Sequence, residues 1–222
     1  MFYGILIISL IITLSAQAFV SMTYSKTRKI KNINNLTGSE VAREILDKNG
    51  LRNVQVVETP GNLSDHYDPR SKVVRLSSEV YHSPSIASVA VAAHECGHAI
   101  QDDTNYIFMN IRSAIVPIVN FASYAGYFAI AIGFFASAMN LVWFGIIMEC
   151  VILLFQIITL PVEFNASSRA LKQIKELNLL DQKEYKKGRK MLTAAAMTYV
   201  ASVATTLLEI FRLVLMANRR ND

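Results

Sequence analysis

Charge is scarce in this chain. Asp, Glu, Lys and Arg make up 18% of its 222 residues, where a soluble domain carries nearer a quarter. Across residues 113–148 none of the four occurs, and a stretch of that length approaches two membrane spans of about 20 residues each. A wholly soluble chain is thereby excluded. Cysteine is scarce as well. Cys96 and Cys150 are the only two, which excludes a disulfide framework and suits a reducing compartment. Internal repeats and low-complexity segments are absent.

What is present is apolar surface, in four stretches at about residues 2–20, 114–136, 141–160 and 192–216. The fourth contains Glu209 and Arg212, three apart on one helical face and placed to neutralise each other in part. Ala16-Gln17-Ala18 has the small-x-small look of a signal cleavage site. No Lys or Arg precedes the apolar run, however, and Lys26, Arg28, Lys29 and Lys31 follow it. An uncleaved anchor with its N-terminus outside is the expectation.

The same charge rule orients the rest. Residues 161–190 hold eight Lys/Arg, and the short break between the second and third stretches holds none. Both large polar segments then face the cytoplasm. The basic residues hug the ends of spans and lack a binding motif, so the net charge of +5 is a topology signal and no nucleic acid partner is expected. The expected organisation is an anchor over 1–24, a cytoplasmic α+β portion over 25–112, a transmembrane hairpin over 113–161, a cytoplasmic helix over 162–191 and a last transmembrane helix over 192–222. The fold class is a mainly α membrane protein with about four spans and a small zincin-like α+β portion.

Within the polar portion, Thr37-Gly38-Ser39-Glu40 has capping-box spacing and opens a helix of about ten residues that Gly50 ends. The valine-rich runs 53–59 and 72–77 read as strands, with Pro60-Gly61-Asn62 and Asp68-Pro69-Arg70-Ser71 as turns. Ser83-Pro84 opens the next helix, with the proline early in it, and residues 86–101 continue it.

His94-Glu95-Cys96-Gly97-His98 lies on that helix. Residues four apart stack on one face, so both imidazoles reach a single Zn2+. Glu95, one residue round, is placed to take a proton from the water such a metal activates. Cys96 lies roughly 200° round from either histidine and is excluded as a ligand. A pair of histidines in an otherwise apolar helix needs partners, which disfavours a merely polar cap.

A catalytic zinc needs a third protein ligand and an open position. His66, His82, Asp102, Asp103, Glu149 and Glu163 are the candidates. Asp102, four residues after His98, fits better as the partner of that imidazole. Glu149 lies mid-span, about 21 Å along the helix from Glu163, so both cannot serve one site. Glu163 follows Pro161 at the cytoplasmic end of the third span and is the expected ligand.

His94-Glu95-Cys96-Gly97-His98-Ala99-Ile100-Gln101, two spans, then Leu160-Pro161-Val162-Glu163-Phe164-Asn165-Ala166-Ser167 resemble the YugP-like neutral zinc metallopeptidases of bacterial membranes. Residues 64–76 resemble the same family, and the likeness covers nearly the whole chain. More distantly the arrangement is similar to the heat-shock membrane protease and CAAX-prenyl endopeptidase families. Those are gluzincins, whose third ligand is the first Glu of an E-F-x-A-D motif; here that Glu is Glu163. The motif's Asp falls at Ser167, which removes a carboxylate from that helix and leaves Asp102 as its substitute. The resemblance implies a multi-pass zinc metalloendopeptidase of a bacterial cell membrane, its active site facing the cytoplasm, acting on membrane proteins or peptides. A membrane protein partner or a homo-oligomer is compatible with it.

Blander readings stand beside the remaining residues. His66 is a transition-state donor or the end of a turn, and the turn is favoured. His82 precedes a helix cap. Arg169 stabilises an oxyanion or begins a solvated basic face. Glu149, inside a span, has Arg212 as its natural partner. The strand over 72–77 is the expected edge along which an extended substrate aligns. Two other functions compete with the protease: a non-proteolytic adaptor with a structural zinc, requiring a fourth ligand such as His66 or His82, and a hydrolase of lipid headgroups.

Overall fold

A computed structural model describes residues 2–221. The chain runs through α1 (Phe2–Thr27), α2 (Gly38–Lys48), β1 (Gln55–Thr59), β2 (His66–Asp68), β3 (Val73–Ser77), α3 (Ser78–His82), α4 (Ile86–Asp103), α5 (Ile107–Phe135), α6 (Met139–Glu176) and α7 (Gln182–Asn221). The four apolar stretches are the long helices α1, α5, α6 and α7, each long and apolar enough to cross a membrane. Each extends beyond its apolar run, because a helix continues wherever backbone bonding and propensity allow and does not stop where hydropathy does.

The contacts divide the chain into two units. The first comprises residues 1–17, 110–161 and 197–222, the second 18–109 and 162–196. In the first unit Val142 and Ile146 of α6 pack on Leu213 and Ala217 of α7. Gly145 lets α5 and α6 approach closely, since a Cβ there would run into Ile130 and sit 3.1 Å from the Gly126 carbonyl oxygen. Arg212 pairs with Glu209, its Nε donating to Oε2 at 2.8 Å. The expected Glu149–Arg212 pair is therefore corrected: the neighbour three residues back along the same helix takes the guanidinium.

In the second unit, Thr37 caps α2 with both halves of the capping box, accepting from Glu40 N at 3.3 Å and donating its own N–H to Glu40 Oε2 at 2.8 Å. Val41, Ala42, Ile45 and Leu46 then bury one stripe of α2. The sheet has strand order β1-β3-β2, with β1 parallel and β2 antiparallel to β3. The strand over 72–77 is thus central, paired along both sides, and the expectation that it is a free edge is overturned. The third strand, β2, is only three residues long and sits among turn formers, so its sequence reads as a turn. Asp65 fastens this segment to the end of β3 by accepting from Ser77 N at 2.7 Å.

The start of α4 also differs from expectation. Ser85, not Ser83-Pro84, is the N-cap, its side chain accepting from Ser88 N at 3.0 Å. Pro84 lies outside the helix, where its carbonyl accepts from Asn32 N at 2.9 Å. Fourteen of the eighteen residues of α4 are buried. A helix buried nearly all round is the centre of its unit, and the polar side chains it carries must find partners there.

Candidate metal centre

The centre is built where α4 meets the start of the second-unit part of α6. Gly97, between the two histidines, makes this meeting possible. A Cβ added there would lie 2.5 Å from the Ala166 carbonyl oxygen, so only glycine lets the two backbones come this close. Ala166 in turn lies between Glu163 and Ser167. The close approach therefore faces His94 and His98 with Glu163 and Ser167 across one contact.

His94 Nε2 is 3.3 Å and His98 Nε2 3.7 Å from the same oxygen, Glu163 Oε2. The three ligand atoms all lie within 4.8 Å of one another. Donors about 2.1 Å from a tetrahedral zinc stand about 3.4 Å apart, so the two histidine-to-Glu163 separations, like the donor chemistry, fit that ion. Glu163 is 4% exposed against 16% for His94, which leaves His94 as the side of the centre nearest solvent.

The other nitrogen of each ring is also accounted for. Gln101 is fully buried. Its Nε2 donates to the Val162 carbonyl at 2.8 Å and to Asn165 Oδ1 at 3.0 Å. A backbone carbonyl only accepts, so the amide's NH2 must face it and the amide oxygen must face His98 Nδ1, 3.0 Å away. His98 Nδ1 then carries the proton and donates it, and Nε2 keeps its lone pair for a metal. On the other ring, Ser167 Oγ lies 3.2 Å from His94 Nδ1. A hydroxyl both donates and accepts, so it accommodates the same tautomer by accepting from a protonated Nδ1.

Asp102 is not the partner of His98. Its Oδ2 accepts from Tyr67 Oη at 2.6 Å and from Lys72 Nζ at 2.6 Å, tying the end of α4 to the sheet. A side chain four residues on was the geometric expectation, but three residues on is equally on the ring's face, and Gln101 occupies that place. Sequence reasoning assigned no role to Gln101, Ser167 or Gly97. The available signal was a buried-type glutamine in an apolar helix, which cannot remain unpartnered.

Electrostatics set the centre apart from ordinary core. Burial pushes the Glu95 carboxyl up, opposed by the nearby His94 and His98 imidazoles. Burial pushes His98 down, but the nearby carboxylates of Glu95 and Glu163 prevail and raise it. The buried Cys96 thiol is raised by desolvation and by Glu95; its Sγ donates to the Ala42 carbonyl, so it is not turned to the metal donors.

The remaining sequence candidates lie elsewhere. His82 is exposed and pairs with Glu58, its Nε2 3.1 Å from Oε2. His66 is exposed on β2, with Nδ1 2.8 Å from the Ser64 carbonyl oxygen. Asp103 is exposed, and Glu149 belongs to the other unit. Arg169 donates through Nε to Asn165 Oδ1 at 2.7 Å, at the end of the chain of hydrogen bonds that starts at His98. Among the described residues the metal-capable group has three members, one fewer than a closed structural zinc site.

Residues 2–218 match the family described as "Putative neutral zinc metallopeptidase". The chain is also 43% identical over 201 residues to the "Putative membrane protease YugP" of Bacillus subtilis (strain 168), an alignment covering 90% of this chain and 89% of that protein. No solved structure matches it.

Proposed function

The chain belongs to the neutral zinc metallopeptidase family, and from that premise we propose that it is a gluzincin-type endopeptidase of the membrane. His94, His98 and Glu163 hold the ion and Glu95 is the general base. The observation that carries this reading is the convergence of both Nε2 atoms on one Glu163 oxygen, with each Nδ1 engaged by another side chain.

A zinc ion held by these three residues would acidify a water and polarise the scissile carbonyl. The protein supplies the rest. Glu95, buried beside the imidazoles, accepts the proton of the attacking water and passes it to the leaving amine. Gln101 and Ser167 hold the imidazoles in the ligating tautomer. Substrate alignment falls to β2, which pairs with β3 through one side and reaches α4 through the Tyr67–Asp102 hydrogen bond. A peptide added along its outer side gains backbone hydrogen bonds in a fixed register.

The substrates are membrane proteins or peptides presented at the cytoplasmic boundary of the bilayer. The basic residues after α1 and across 161–190 support that side. The test uses purified full-length protein and a panel of membrane-protein substrates. Glu95→Gln retains zinc and lowers proteolysis by about 10²–10⁴-fold. Proteolysis that survives both chelation and Glu95→Gln refutes the reading.

A further inference from the structure

A cavity apart from the metal centre lies in the same unit, built from other residues. It has a cavity volume of about 580 Å³ and is lined by Phe19 and Met22 of α1, by Lys26 and Lys29 at and just beyond the end of that helix, and by Lys187 and Lys190 near the start of α7. No acidic side chain lines it. Among the described residues none of these four lysines is ion-paired with a carboxylate. Four like charges around one cavity, with no internal counter-charge, make a positive field that an anion relieves.

The lining also selects the kind of anion. Most of the exposed lining is apolar, and Met22 is 56% exposed, so a small hydrated anion would leave that surface wet. The apolar run of α1 ends beside the cavity, and lysines at such an end extend their stems along apolar surface and hold their ammonium groups at headgroup level. We propose that this cavity binds an anionic phospholipid, its phosphate among Lys26, Lys29, Lys187 and Lys190 and its chains against Phe19 and Met22. The site is independent of the metal centre and of the protease reading.

Native mass spectrometry of the full chain in neutral detergent, supplied with phosphatidylglycerol or phosphatidylcholine, tests this. The wild type retains phosphatidylglycerol preferentially. Each double variant, K26Q/K29Q or K187Q/K190Q, lowers that retention by about tenfold, and the quadruple variant falls to the phosphatidylcholine level. Replacing all four by Arg preserves retention, as does the equal charge loss K48Q/K172Q/K175Q/K183Q at exposed positions outside the cavity. If the quadruple variant fails to fold, the two double variants decide. Equal retention of both lipids overturns the proposal, and so does an equal loss in the control variant. Displacement of the lipid by inorganic phosphate or an oligonucleotide at matching concentration overturns it too, by assigning the site to a free anion or a nucleic acid.

Discussion

Helices α1 and α4 are both built mainly from apolar residues, yet they solve opposite problems. In the most apolar part of α1 only 6% of residues are buried within the protein, whereas fourteen of eighteen are buried in α4. The first is apolar for a lipid solvent, where side chains need only be apolar and the backbone satisfies itself. The second is apolar for a protein core, where every contact is shaped and every polar group must be paired. The lesson is one of tolerance. A substitution that α1 hardly registers is felt in α4, and most where α4 carries chemistry.

The largest effect expected is loss of the metal. His94→Ala or Glu163→Ala lowers zinc content from about one per chain to near zero, since two remaining ligands fall short of the three a catalytic zinc requires. Metal analysis of the purified protein reads this directly, and activity is lost with the metal. Full zinc retention in Glu163→Ala would remove that residue from the ligand set.

Gly97→Ala comes next. Its added carbon meets a backbone oxygen that has no rotamer to escape into, and overpacking of this kind costs about 1–3 kcal/mol. It also separates α4 from Glu163, so zinc affinity falls together with the midpoint of thermal unfolding. The matching change on α1, Leu10→Ala at a position 57% exposed, shifts stability by less than about 0.5 kcal/mol. Equal effects at the two positions would erase the contrast between the helices.

Ser167→Ala and Gln101→Ala act through the imidazoles they hold. Each lowers zinc affinity by about 10–100-fold, measured by chelator competition. Gln101→Ala is the worse of the two, because it also removes the hydrogen bonds that the amide gives to the Val162 carbonyl and Asn165 Oδ1. Asp102→Asn, by contrast, loosens the contact to Tyr67 and Lys72 and leaves zinc affinity nearly unchanged.

The smallest effect lies at the cap of α2. Thr37→Ala costs about 1 kcal/mol. The Thr37 N–H and hydroxyl hold the Glu40 carboxyl below its ordinary value. A depressed folded pKa contributes stability that is complete above the unfolded value and lost as pH falls through the folded one. Thr37→Ala therefore removes part of the stability near neutral pH and flattens its decline on acidification, which unfolding midpoints across an acid series measure.

Much of this was legible because its signals are local. Thr37 and Glu40 are three residues apart, His94 and His98 four, and Glu163 lies just past the end of an apolar run; each reading needs only helix geometry or hydropathy. The misreadings share the opposite property. Whether β3 is an edge depends on where a three-residue strand, nearly invisible among its turn formers, finds a partner. The choice between Gln101 and Asp102 for His98 depends on the Val162 carbonyl, 61 residues away, which orients the glutamine amide. Arg212 was offered two acids, and the one on its own helix holds it.

The sequence alone thus determined the apolar helices, the cap of α2, the two histidines on one face and the carboxylate to be brought to them. Those follow from periodicity and spacing along single segments, which survive whatever the rest of the chain does. Only the tertiary structure decided that Gly97 sets α4 directly against Ala166, that Ser167 lies against His94 Nδ1, and that Gln101 faces His98. The first two are contacts between segments remote in the chain, and the third depends on one, since the Val162 carbonyl orients the Gln101 amide.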